Sequence, residues 1–340
     1  MATSIISHFD SIYLSAHLPE TVSFRTDAAS LQVDIYVNDN KVFSSDYYPF
    51  EGIVKVRDIC SIVEAAMLED QLAMTSLKIV ATEPTDPISV TTDDIKVIYS
   101  RFLTNDSSEG FLTNRFLTTR HSALIPRDGQ LNLSNYAQAY AQDSNVALIY
   151  YYHYAVPGVV YTYNFAMPKI QSTTEQIVTA SLSHEYFKAI VDEAKSTNCK
   201  VLGVEYRIGT RRFNIFFTDE QPTDVFTFLN AFNIEETVYL YGTTTMKTEV
   251  DRTETVCGKK TEFYDETVKT KHEVETAPLP YDEAKWLNQM LTSKYVTRPL
   301  GEGQSSPILL SDISSEVSNS DKDLIRLKFS WKYAEGIEYI

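Results

Sequence analysis

A chain of 340 residues and 38.6 kDa exceeds the size at which one hydrophobic core usually stops growing, which predicts two domains. Its 43% apolar and 22% charged composition, mean hydropathy of -0.21 and lack of a long apolar run predict a folded, soluble chain without a membrane span. Thirty Lys and Arg against 46 Asp and Glu leave a net charge of -16, which repels phosphate backbones and anionic lipid and predicts no direct nucleic-acid binding.

The cysteines Cys60, Cys199 and Cys257 are odd in number and far apart, which predicts free thiols rather than a disulfide framework or a zinc knuckle. MATSIISHFDSIYLSAHLPE has neither a basic n-region nor a sustained apolar core, so the expectation is a protein made and kept in the cytoplasm, or released by lysis. With 22 Tyr, 17 Phe and 34 Thr against 11 Gly, the composition favours pleated, half-buried surfaces. The expected fold is mainly β with a few short helices: β-sandwich or β-barrel domains, flanking helices and a long projecting β-hairpin.

Along the chain, Leu31, Val33, Ile35 and Val37 alternate with Gln32, Asp34, Tyr36 and Asn38, the period of a strand with one face buried. Asn38-Asp39-Asn40 then turns the chain into KVFSSDYY, which completes a hairpin. Asp58, an N-cap type, precedes Ile59, Ile62, Val63, Ala66 and Met67 at helical spacing. SLKIVA and IKVIYSRFL read as strands around the loop TEPTDP. The polar stretch Pro126 to Asn145 lacks strong periodicity, which divides the chain into an N-terminal β-rich domain with one helix, 1–135, and a C-terminal β-rich domain, 136–340.

Beyond that division, NVALIYYYHYAV and GVVYTYNFA read as strands around Pro157-Gly158, and EQIVTASLS leads into a helix with Phe187, Ile190, Val191 and Ala194 on one side. KVLGVEYRI and RRFNIFFTD join through Gly209-Thr210, a type II′ hairpin signal. A short helix is expected from Thr223 to Phe232, with Val225, Phe226, Leu229 and Phe232 buried. With it, the hairpin, proline and helix order around 31–58 recurs around 202–223, which raises a duplication as one possibility. A helix opened by Pro280 and Asp282-Glu283 carries Ala284, Leu287 and Leu291 beside Trp286 and Met290, and RLKFSWKY closes the pattern as a strand.

The most informative segment is Thr243 to Ala277. TTTMKTEVDRTETV and KKTEFYDETVKTKHEVETA meet at Cys257-Gly258-Lys259, and both faces are mainly Thr, Glu, Lys and Asp. A long polar two-stranded ribbon is marginal alone in water, so it borrows stability from neighbouring strands or another subunit. The bland alternative is a solvated hairpin folded onto its own sheet. Its mixed charges, with Lys247, Arg252, Lys259, Lys260 and Lys269 among Glu249, Glu262 and Glu273, are the expected assembly interface, suited to complementary pairs between subunits.

Catalytic signals are sparse. His184-Glu185 begins an HExxH-like string, but Lys188 stands where the second zinc ligand is needed. His8, His17, His121, His153 and His272 have no His or Cys at ligand spacing, and no GxSxG, GxGxxG or P-loop string occurs. No catalytic residue, cofactor or metal is therefore expected. Asp93-Asp94, Asp219-Glu220, Glu235-Glu236 and Asp282-Glu283 qualify for carboxylate chemistry only by being acidic. Trp286 and Trp331 read as core rather than as a sugar platform. Tyr150 to Val156, YYYHYAV, fits either an intersheet core or a sticky interface.

The order of features in QPTDVFTFLNAFNIEETVYLYGTTTMKTEVDRTETVCGKKTEFYDETVK, DEAKWLNQMLTS and SEVSNSDKDLIRLKFSWKY resembles structural proteins of tailed bacteriophages and prophages, as does FLTNRFLTTRHSALIPRDGQLNLSNYA. The resemblance covers roughly residues 111 to 137 and 201 to 335 and carries no functional residues with it. It implies a non-enzymatic tail or baseplate component, assembled in the host bacterial cytoplasm and resident in the virion. Its partners would be other virion structural proteins and further copies of itself in a ring or tube. A carbohydrate-binding or adhesive β-module is the alternative, and a glycosidase-type enzyme a third.

Overall fold

The computed structural model describes residues 3–84, 89–140, 143–169, 172–195, 198–301, 303–314 and 324–335. The chain is mainly β, and its strands gather into sheets stacked around three successive cores, with helices laid against them.

The first core lies between two sheets. The larger runs in the order Ile12–Leu14, Ile95–Ile98, Met74–Thr82, Leu31–Val37, Asn40–Tyr47, with Ser89–Thr91 also on Met74–Thr82; the smaller holds Ser4–Ile5, Val22–Arg25 and Ile53–Val56. The expected alternation is observed, with Leu31, Val33, Ile35 and Val37 all turned inward. Asn38 and Asp39 have φ of 47° and 62°, the paired positive values of the tight hairpin turn that matches strand twist. Helix α1 (Ile59–Glu69) contributes Ile59, Val63 and Met67 to this core. Asp58 differs from expectation. It is left-handed at φ 62° rather than extended as an N-cap requires, and its side chain makes no cap; the Glu20 carbonyl accepts from the Ile59 N–H at 3.3 Å.

The second core is covered by a five-stranded sheet ordered Ser122–Pro126, Arg211–Thr218, Cys199–Ile208, Asn145–His153, Tyr161–Ala166, and by the ribbon Gln130–Ala137 with Gln176–Ser183. The polar stretch from 126 to 145, whose weak periodicity placed the domain division there, contains a strand. In it Leu131, Leu133 and Tyr136 are buried, Leu131 and Leu133 in this core, beside buried Ser134 and Asn135, and that mixture concealed the two-residue period. This core takes residues from both sides of position 135, Ala123 and Leu133 as well as Ile149 and Phe213. Helix α2 (Ser108–Asn114), which lacks a sequence periodicity of its own, precedes it. Its N-cap Ser107 accepts from the Gly110 N–H at 3.1 Å. Helix α3 (His184–Lys195) seals the second core with Phe187 and Val191.

The third core belongs to a seven-stranded antiparallel sheet in the order Glu235–Leu240, Asp224–Leu229, Val296–Gly301, Gln304–Ser314, Lys328–Tyr333, Lys260–Thr276, Gly242–Cys257. Helix α4 (Tyr281–Thr292) covers it with Ala284, Trp286, Leu287, Met290 and Leu291. The helix expected over 223–232 is instead the strand Asp224–Leu229, in which Phe226 and Phe228 point inward. A short run of β-branched and aromatic residues is compatible with either period, and pairing with Glu235–Leu240 decides it. With a strand in place of that helix, the hairpin, proline and helix order of residues 31–58 does not recur.

Beyond Asp224–Leu229 the chain makes a tight turn in which the Asn233 N–H reaches the Asn230 carbonyl, and its Phe232 enters a junction with Leu14, Ile98, Phe111 and Leu117. Glu236, 4% exposed, holds this turn. One carboxylate oxygen accepts from the Asn230 amide at 2.6 Å, and the other accepts from the Trp286 indole and lies 3.8 Å from Arg120 Nε. The Arg120 guanidinium also lies over the Trp286 ring at 3.9 Å. Removing one member of a buried ion pair leaves an uncompensated charge. We therefore expect Glu236→Gln, which keeps the acceptor but not the charge, to lose about 3 kcal/mol in denaturant unfolding; an unchanged midpoint would mean that the Trp286 ring alone suffices for Arg120.

Candidate functional site

The hairpin predicted at 243–277 is present as Gly242–Cys257 paired with Lys260–Thr276. Gly242, at φ 153°, admits the chain where a Cβ would run into the Glu275 carbonyl. At the far end Gly258 has φ 69° between paired Cys257 and Lys260, as a two-residue type II′ turn requires. Only the base joins the sheet: His272 to Glu275 pair with Lys328 to Trp331, the His272 ring stacks on Trp331 at 3.8 Å, and Lys271 pairs with Asp312 at 2.5 Å. From Lys247 to Cys257 the first strand has only the second as its neighbour. At ~3.4 Å per residue that stretch forms an arm roughly 35 Å long, open along both edges among the described residues.

The register sorts the arm's side chains in a way that reading each strand alone did not show. Directly paired residues share a face and each strand alternates. Met246, Val250 and Val256 therefore lie on the same side as their partners or near neighbours Val268 and Phe263. The register shift at Thr253/Glu254 leaves Tyr264 as the extra residue and sets Phe263 opposite Glu254, beneath Arg252, whose guanidinium is 4.9 Å from its ring. All five apolar residues are exposed. The same side continues at the base into Val274, Phe329 and Trp331, which are core. The stripe is thus the core face of the third sheet, extended beyond the residues that cover it.

Four of the eight predicted charges are engaged within the hairpin itself. Lys247 pairs with Glu273 at 2.6 Å, Arg252 with Glu266 at 2.7 Å and Lys269 with Asp251 at 3.5 Å. Glu249, Lys259, Lys260 and Glu262 are exposed and, among the described residues, have no ion pair within 4.0 Å. Lys259 and Lys260 sit at the tip.

A second surface lies on the second core. The hairpin of Asn145–His153 with Tyr161–Ala166 sends Ala147, Ile149 and Tyr151 inward. Its loop leaves Tyr154, Val156, Val159 and Val160 exposed at 45 to 55%. YYYHYAV is therefore core at Tyr151 and surface from Tyr154 onward. Tyr161–Ala166 ends the sheet order, with an unpaired outer edge among the described residues.

The remaining candidates are dispersed. Buried His184 receives a hydrogen bond from Arg127 at 2.8 Å; burial first, then the Arg127 charge, pull its pKa from 6.5 to about 4. Asp219 bridges Arg127 and Lys200, and Glu236 belongs to the buried network described above. Asp93 and Asp94 line a shallow groove with Ser7 to Ser11. Trp286 and Trp331 are core. One pairing that sequence spacing could not show is Cys199 Sγ with His153 Nδ1 at 3.4 Å, on register-paired residues of neighbouring strands; Cys199 is fully buried. Among the described residues no group of three or more His, Cys, Asp or Glu could hold a metal, and no helix is long and apolar enough to cross a membrane.

No protein-family model matches the chain, and no curated protein matches it by sequence. Among solved structures, it is similar at 8% identity and a TM-score of 0.23 to the Plexin A4 full extracellular region with domains 1 to 8, covering 99% of this chain and 40% of that one. For the same region with domains 1 to 10 the values are 8%, 0.24, 99% and 31%. The chain thus spans less than half of either structure, and overlaps this small carry no inference about it.

Two outcomes follow from the site chemistry. The protonated His184 is disfavoured only in the folded state, so stability is full above pH 6.5 and falls as pH drops from 6.5 toward 4; His184→Gln should flatten that part of a thermal-melt pH series. Cys257 is exposed, Cys60 half-buried with its thiol pushed by burial to about 11, and Cys199 buried. A thiol reagent under native conditions should therefore modify Cys257 first, Cys60 slowly and Cys199 only on unfolding.

Proposed function

We propose that this protein is a non-enzymatic structural subunit, a tail or baseplate component of a phage-like virion, that assembles with further copies of itself through the arm. The observation that carries the reading is the uncovered apolar stripe of Met246, Val250, Val256, Phe263 and Val268 on a two-stranded arm with open edges. Exposed backbone edges are templates for pairing with another chain, and a stripe continuous with a sheet core is a surface for which burial is favourable. Residues 246–271 hold six Lys and Arg and six Asp and Glu. The arm is therefore neutral in a chain of net charge -16 and approaches an acidic neighbour without the repulsion that the remainder meets. The intramolecular pairs Lys247–Glu273 and Arg252–Glu266 keep the arm in register before it docks. The phage-protein resemblance of the sequence supplies the virion setting.

The test is to replace residues 247–271 by a short Gly-Ser turn, which spares His272 and Val274 at the base. The expected result is a chain that melts within a few degrees of wild type yet no longer forms rings or tubes by electron microscopy with its structural partners. Normal particles from the shortened chain would refute the reading.

A further inference from the structure

The arm needs a receiving surface, and one hairpin of the same chain has the properties required. From Asn145 to Pro168, twenty-four residues, the sequence contains no Asp, Glu, Lys or Arg, in a chain that is 22% charged. Its loop exposes Tyr154, Val156, Val159 and Val160, and its second strand, Tyr161–Ala166, ends the five-stranded sheet.

We infer that the outer strand of the arm of one copy adds to the open edge Tyr161–Ala166 of the next copy, with the apolar stripe lying toward the uncharged hairpin Asn145–Pro168. The inference rests on the arm-mediated assembly proposed above and names its receiving site. Three observations select this occupant. First, both elements present unpaired strand edges among the described residues, so pairing satisfies backbone groups on each side. Second, Tyr161, Tyr163 and Phe165 share one face by alternation, and Tyr163 and Phe165 pack against the second core. An arm strand added beside them can lay its apolar residues next to theirs, with the Arg252–Glu266 pair on the same side neutralised within the arm and the Lys247, Lys269 and Asp251 side toward solvent. Third, a neutral arm meeting an uncharged hairpin avoids the like-charge repulsion between two bodies of net charge -16. The edge strand Asn40–Tyr47 fits less well, because it carries Lys41 and Asp46 and its Lys41 already pairs with Asp34.

Donor and receiver are different patches, so the contact is heterologous. It joins copies head to tail, and it builds a ring if the rotation closes and a filament if it does not. It also predicts a complementation that an arm-to-arm dimer would not show.

The experiment uses the full chain in about 0.5 M salt, where repulsion between the acidic bodies is screened, with mass followed by sedimentation over rising concentration. Three proteins are compared: wild type, the chain with 247–271 replaced by a Gly-Ser turn, and the double variant Val156→Asp, Val160→Asp, whose exposed positions leave the fold intact as checked by its melting temperature. Wild type is expected to grow beyond a dimer. Each altered chain alone is expected to stay monomeric, with association weakened at least tenfold, and the two mixed are expected to form a one-to-one complex that does not grow. A loop variant that associates like wild type while the arm-shortened chain stays monomeric overturns the receiving site and leaves the arm reading standing. An arm-shortened chain that still associates overturns the arm reading itself. A wild type that stays monomeric throughout, or two altered chains that fail to complex, overturns the inference.

Discussion

The arrangement of the three cores depends on one buried carboxylate. Glu236 sits on the strand that ends the seven-stranded sheet, and its two oxygens are engaged by groups from three other parts of the chain: Asn230 in the preceding turn, Trp286 on the covering helix and Arg120 in the segment leading into the second core. Burial alone lowers the pKa of the Arg120 guanidinium, while the Glu236 and Glu283 charges pull it the other way. The group is tolerated in the interior because a charge and an aromatic face meet it there. The Asn230 amide also donates to the Leu117 carbonyl, so the same network fixes the turn that delivers Phe232 to the junction with Leu14, Ile98 and Phe111. Polar geometry thus sets where the first two cores sit relative to the third sheet.

That third sheet shows how a fold can carry its own core pattern onto an exposed surface. Val274, Phe329 and Trp331 are buried under the helix Tyr281–Thr292 and neighbouring strands. The strand Lys260–Thr276 continues past its last sheet partner, so the inward-facing positions continue with it, now without cover. On this side the strand carries Val274 at the base, and beyond His272 its next apolar residues are Val268 and then Phe263. The cross-strand charges and the bulge at Tyr264 keep the ribbon paired and bring Phe263 to the apolar side. Along this length the ribbon pairs only with itself, and both of its outer edges carry unpaired backbone groups among the described residues.

Much of this was legible from residue order. Two-residue alternation in Leu31–Val37 and the Asn38-Asp39 turn, the helical stripe of Ile59, Val63 and Met67, the hairpin signal at Gly209 and the arm with its Gly258 turn all appear where the pattern placed them. Each is a local pattern whose side-chain period or turn chemistry is stated within a dozen residues. The pattern predicts a helix over Thr223 to Phe232 where the strand Asp224–Leu229 lies, because a short run with two phenylalanines satisfies either period. The strand Gln130–Ala137 falls where the sequence pattern places a domain division, because its buried positions include Ser134 and Asn135, and the Ser134 hydroxyl finds its partner in Thr179, forty-five residues away.

The sequence by itself determined that the chain is mainly β, that it is acidic, and that it carries a long charged hairpin, because composition and short-range periodicity are properties of residue order. Only the tertiary structure decided which of the hairpin's charges pair with each other, that its apolar residues share one face, and that Cys199 meets His153. Those facts depend on register between strands, where a shift of one residue moves every side chain to the opposite face. The uncharged stretch 145–168 was present in the sequence throughout, but its division into a buried Tyr151 and an exposed loop at Tyr154 to Val160 required knowing where the strand pairing stops.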